Sequence, residues 1–168
     1  MSNALGSMVQ LRLYKKTFNV LSCALITQLQ RLFTDGGPVL NFLKGEIETY
    51  SKSKLEDHVP GAKFFATMNT QTTIERGTEF VSVGELVLTK DERLFNGQCG
   101  VEIPELQALG IVRNWPTIST ENRNIIWDYL IRMAKTSARI VITGNAMTTT
   151  IVDDIESLVK QFSSEQEK

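Results

Sequence analysis

The stretch STENRNIIWDYLIRMAKTSARIVITGN, residues 119–145, decides the fold. Ile126, Leu130, Met133, Ala134, Ser137 and Val141 recur at three- and four-residue steps, which places them on one face of a helix. Trp127, Ile131, Ala138 and Ile142 form a neighbouring line. Together the two lines are wider than a single amphipathic stripe, so this helix is expected to be central and covered on much of its girth. Ser119 stands where its hydroxyl can accept from the first-turn amides, and Glu121 sits where the helix dipole favours a carboxylate. Gly144-Asn145 predicts the end of the helix. Thr148 or Thr149 is then expected to cap a separate final helix with Ile151, Val152, Ile155, Leu158, Val159 and Phe162 on one face. Residues 163–168 are polar and predicted to form a flexible tail.

Upstream of this stretch, Trp115 and Pro116 lead into a polar turn, so Trp115, Ser119, Trp127 and Tyr129 read as structural residues at a joint. Residues 104–109 predict a short helix ended by Gly110. Thr89-Lys90-Asp91-Glu92 has the spacing of a capping box, with the Thr89 hydroxyl accepting from Glu92 and the Glu92 carboxylate reaching back. A short helix carrying Leu94 and Phe95 should follow, stopped by Asn96-Gly97. Residues 80–88 alternate only in part and are read as helix from their surroundings, while the threonine-rich run 67–79 has no clear period.

Nearer the start, residues 9–34 carry Leu11, Tyr14, Phe18, Leu21, Leu25, Leu29 and Leu32 on one stripe. Thr34-Asp35-Gly36-Gly37 breaks that helix, and Pro38 suits the first turn of another that runs to Ser51. A polar loop, 51–59, precedes a helix opened by Pro60-Gly61 and running through Met68. The expected fold is a single all-α domain, residues 8–162, an irregular bundle of about six to seven helices with long ones at both ends. Residues 1–7 read as an expression-tag remnant and are set aside.

The chain has 168 residues, a size that suits one domain with a sizeable core. Its formal net charge of −1 lacks the basic excess that phosphate binding over a broad surface demands. No signal-peptide pattern is present, and polar residues interrupt every apolar run well short of the ~18–20 residues of a membrane span. Two cysteines are too few for a disulfide framework, which points to a reducing compartment.

Candidate chemistry is sparse. A nucleophilic Cys99 needs a base, and His58 is the single histidine, but no basic cluster or helix start is placed to favour a thiolate. Cys23 sits on the apolar first helix and reads as small-core packing. Cys23, Cys99 and His58 are too scattered for zinc, so no metal or cofactor is expected. Asp91-Glu92 and Asp153-Asp154 are adjacent in sequence, so their side chains diverge by about 100° on a helix and do not chelate. The glycines at 36–37 and 144 lack phosphate-loop spacing. Arg132, Lys135 and Arg139 share a face and form a candidate partner-binding stripe, set against the plainer reading of a solvated helix face.

The second half carries a further pattern: Lys90-Asp91-Glu92-Arg93-Leu94-Phe95-Asn96, then Ile103, Leu106, Leu109 and Trp115, then Thr117 through Leu130 with its N-x-x-IW-x-YL helix. It resembles a small helical module in uncharacterised proteins of nucleocytoplasmic large DNA viruses. The resemblance implies a viral, all-helical protein of the host cytoplasm or the virion, and it carries over no catalytic residue. The expected function is a non-enzymatic protein–protein interaction or virion-associated factor, binding another protein or a second copy of itself. The alternatives are an enzyme whose site is assembled from distant residues and a nucleic-acid-associated protein using the basic helix face.

Overall fold

Ser119 starts the longest element of the chain. The computed structural model describes residues 2–34, 37–74, 79–99 and 103–166, and within them the Ser119 hydroxyl accepts from the Asn122 amide at 3.2 Å. Its carbonyl accepts from the Arg123 amide at 2.9 Å, which begins the helical ladder. The last helix, α7, then runs from Thr120 to Gln166 as 47 residues without interruption.

The stop expected at Gly144-Asn145 is therefore absent. A single glycine inside a helix costs only about 1 kcal/mol relative to alanine, which the surrounding turns can carry. The Thr148 hydroxyl donates back to the Gly144 carbonyl at 3.0 Å, a bond within this helix, and caps no new one. The Thr149 side chain lies outside the described residues. Positions 163–166, expected in a loose tail, continue α7.

At the other end, α1 spans Ser2–Leu32, so residues 2–7, set aside as part of a tag remnant, extend the first helix. Helices α1 and α7 make the most extensive packing in the molecule. They run antiparallel: Arg139 lies over Tyr14, while Met133 shares a cleft with Leu25 and Ile26. Helices α2, Gly37–Ser51, and α3, Val59–Met68, stand where the apolar stripes and the two prolines place them. Asp35 and Gly36 of the predicted break lie outside the described residues. Gly61 in α3 lets this helix approach closely, since a Cβ there would sit 2.7 Å from the Ile140 side chain.

The middle departs from an all-helical reading. Strands β1, Gln71–Ile74, and β2, Glu79–Ser82, pair antiparallel with Thr72 opposite Val81. Their Thr, Ile, Phe and Val content suits a pleated surface better than a helix. The segment 80–88 thus divides into the end of β2 and a helix α4, Val83–Leu88. Ser82 supplies the α4 cap by accepting from the Glu85 amide at 3.2 Å.

The proposed capping box at 89–92 does not form. Thr89 closes α4, its hydroxyl donating to the Glu85 carbonyl at 2.8 Å. Lys90 takes a left-handed conformation, φ 52°, which turns the chain away from a continued helix. Asp91 then caps a 3-10 turn at Glu92–Leu94 by accepting from the Arg93 amide at 3.0 Å. Glu92 instead faces the Arg123 guanidinium at 3.2 Å. Further on, α5 spans Pro104–Ala108, Gly110 makes a left-handed turn at φ 78°, and α6, Ile111–Asn114, leads into a 3-10 turn at Trp115–Thr117.

These short elements converge on an aromatic cluster. Phe95 lies 4.9 Å from the Trp115 ring and 5.0 Å from the Trp127 ring, and the two indoles meet edge to face at 5.6 Å. Arg123 covers the Trp115 ring at 4.7 Å and donates to the Trp115 carbonyl at 2.8 Å. Trp115 and Trp127 are buried and Tyr129 is half-buried against the same core. Around them, Leu25, Leu29, Val87, Ile111, Ile126 and Leu130 are fully enclosed. Phe95→Ala removes the ring that both indoles touch and should lower unfolding free energy by about 3–5 kcal/mol, whereas Ser119→Ala should cost about 1 kcal/mol. Urea unfolding followed by tryptophan fluorescence measures both, and a Phe95→Ala loss no larger than that of Ser119→Ala would contradict the cluster's role.

Candidate interaction surface

Burial on α7 follows the helical phase. Ile126, Leu130 and Ile140 face the body, while Arg132, Lys135 and Arg139 are exposed on the other side. The Arg139 guanidinium lies 5.8 Å over the Tyr14 ring, and Arg132 and Lys135 have no ion-pair partner among the described residues. Ile142, expected on a covered face, is 64 % exposed. It lies two positions beyond Ile140, and that step turns it by about 200°, away from the body. The same outward side continues through exposed Ala146, Asp153, Glu156 and Lys160.

The apolar face expected on the final helix is present but uncovered among the described residues. Val152, Ile155, Leu158 and Val159 remain half or more accessible in the main, from 46 % at Val152 to 64 % at Leu158. The Ile151 and Phe162 side chains lie outside the described residues.

A second feature is an open cleft of about 560 Å3 among α1, α2, α3 and α5, lined chiefly by Phe18, Leu25, Leu43, Ile47, Phe64 and Leu109. Lys63 stands at its rim, 5.5 Å from the Tyr50 ring, with Glu46 and Glu105 also in the lining. Its serine and threonine hydroxyls are engaged by backbone carbonyls four residues earlier. Ser22 donates to the Phe18 carbonyl at 2.8 Å, and Thr67 and Thr70 donate at 3.1 Å to Lys63 and Ala66. Among the described residues no nucleophile–base hydrogen bond is assembled there.

The remaining candidates are separated. Cys99 is half-buried against the core, and burial pushes its thiol up, with a hydrogen bond to Thr72 opposing in part. Cys23 is likewise raised, by burial first and by the nearby Glu48 second. His58 is exposed at the start of α3, where its carbonyl accepts from the Ala62 amide at 2.9 Å. No hydrogen bond or charge contact joins it to Cys99. The Arg93 guanidinium holds the Asp91 carboxyl below the usual carboxylate range through direct hydrogen bonds. That pair stabilises the fold above the ordinary carboxylate pKa, and its contribution disappears as pH falls through the lowered value. No group of three or more metal-ligating side chains gathers among the described residues, and no helix among them is long and apolar enough to cross a membrane. Asp153 is exposed, and the Asp154 side chain lies outside the described residues.

Comparison with family models, with curated proteins and with solved structures finds no match to this chain. The surface therefore stands on its own geometry. The outward continuity of α7 was missed at the level of sequence because a stop at Gly144 divides the helix in two. The alternating four- and three-residue spacing of the charged residues on either side of that glycine is the signal that could have joined them.

Both thiols are raised, so thiolate is scarce at neutral pH. Cys23 and Cys99 in the folded protein should react with a disulfide reagent at pH 7.5 roughly tenfold or more slowly than after unfolding in guanidinium. A native thiol reacting faster than the unfolded chain would reinstate an activated cysteine.

Proposed function

We propose that this chain is a non-enzymatic interaction protein whose working surface is the outward face of α7. The observation that carries the reading is the row of exposed charged side chains along one side of that helix, with Arg132 and Lys135 lacking any ion-pair partner among the described residues. A solvated face needs no particular order of charge, but here a basic segment is followed by an acidic one. Asp153 and Glu156 on the same side oppose nucleic-acid binding, because carboxylates repel phosphates along the line that Arg132, Lys135 and Arg139 begin. The charged residues of the apolar cleft, Glu46, Lys63 and Glu105, make no hydrogen bond or ion pair with one another, which supports the interaction reading over an enzyme. The resemblance of residues 90–130 to a module of large DNA viruses supports a viral setting, with the host cytoplasm or the virion as the place of action.

Affinity capture from infected cells tests this reading. The wild-type chain should retain a defined protein, and the combined Arg132→Ala, Lys135→Ala and Arg139→Ala variant should lose it while unfolding at an unchanged urea midpoint. Turnover of a small molecule with no protein retained would overturn the proposal.

A further inference from the structure

We infer that the partner of this α7 surface is a second copy of the chain, paired antiparallel about a two-fold axis at the level of Gly144. This rests on the interaction reading above and specifies it. The outward line steps alternately by four and three residues, the spacing that keeps side chains facing a helix wound alongside. It passes through a basic block, Arg132, Lys135 and Arg139, and reaches Ile142 and Ala146. It then enters an acidic block, Asp153 and Glu156. Asp128 precedes the basic block and Lys160 follows the acidic one.

Read backwards, this line complements its own charge at three pairs, while Arg139 falls against the uncharged position Thr149. An antiparallel second copy sets Arg132 against Glu156, Lys135 against Asp153, Asp128 against Lys160, and Ile142 against Ala146. Two-fold symmetry makes every contact twice, as a self-complementary interface requires. The overlap from 128 to 160 is roughly 48 Å at 1.5 Å per residue. Every one of these residues is exposed, and the single ion pair among them, Lys90 to Asp128 at 3.7 Å, joins side chains that are 45 % and 63 % exposed. Ile142, 64 % exposed and turned from its own core, falls beside the axis. The interface thus has an apolar centre flanked by charge, the usual anatomy of a protein contact.

Charge also selects the register. Sliding the second copy by one heptad sets Asp128 against Asp153 in one direction; in the other it sets Lys135 against Lys160, offset by Arg139 against Glu156. Parallel pairing sets each charge against its own kind. Each alternative loses the three matched pairs and brings at least one pair of like charges together, which is how paired helices disfavour wrong partners.

Sedimentation equilibrium on the whole chain tests the pairing. The wild type should dimerise reversibly, and less so in high salt, because exposed ion pairs are screened. Reversing the basic block by Arg132→Glu with Lys135→Glu should weaken association about tenfold or more. Reversing the acidic block by Asp153→Lys with Glu156→Lys should do the same, and all four changes in one chain should restore the dimer. Mixing the two half-reversed chains should yield a heterodimer, with circular dichroism showing each folded. A wild type that stays monomeric at the highest concentration, a half-reversed chain that dimerises like wild type, or a mixture that stays monomeric would each overturn the inference. A monomer that still captures a different protein through Arg132, Lys135 and Arg139 overturns the self-pairing alone and leaves the interaction reading standing. DNA binding abolished by Arg132→Glu in a chain that never dimerises also overturns it.

Discussion

The order of charge along the outward side of α7 depends on the helix holding one phase through Gly144. Helical geometry ties every outward position to every inward one at 100° per residue, so a single break would uncouple the two ends of the helix. Before the glycine, Ile126, Leu130 and Ile140 enter the core as Arg132, Lys135 and Ile142 turn to solvent. The same phase carries Asp153 and Glu156 to the outward side, two turns and more beyond the glycine. The Thr148 hydroxyl on the Gly144 carbonyl is the local contact that accompanies this continuity.

The other end of α7 is anchored by aromatic packing. Phe95 comes from a 3-10 turn and Trp115 from a second one, and neither element has the length to be stable alone. Both are held because their rings meet Trp127 on α7. Aromatic pairs add about 0.5–1.5 kcal/mol beyond the area they bury. Arg123 links the same group to Glu92 while stacking on Trp115, so one side chain ties α7 to both turns. The Trp115 indole N–H has no acceptor among the described residues, a cost of about 1–3 kcal/mol that the ring contacts offset.

Much of the architecture was legible in the residues. The stripes of α1, α2 and α7, the prolines that open α2 and α3, and the Ser119 cap all rest on local rules that the tertiary fold leaves intact. Two misreadings share a cause: a local signal was placed on the wrong element. Ser82-Val83-Gly84-Glu85 has the same Ser/Thr-x-x-Glu spacing as Thr89-Lys90-Asp91-Glu92, and only tertiary context decides that the first starts a helix and the second ends one. The β1–β2 hairpin was hidden because strands of four residues provide too few alternations to detect. At Gly144-Asn145 a sound stop signal lost to the cooperativity of the helix on either side. That one error also concealed the surface, since the basic stripe was visible but its acidic continuation was assigned to a different helix.

The most direct test of the account is the backbone conformation of residues 143–148, read from 13Cα chemical shifts of the whole chain. An unbroken helix requires helical deviations at Thr143, Gly144, Asn145, Ala146, Met147 and Thr148 as large as those at 134–141. Shifts at random-coil values across Gly144 and Asn145, with helical values resuming beyond them, would mean two helices with independent faces and would contradict the account.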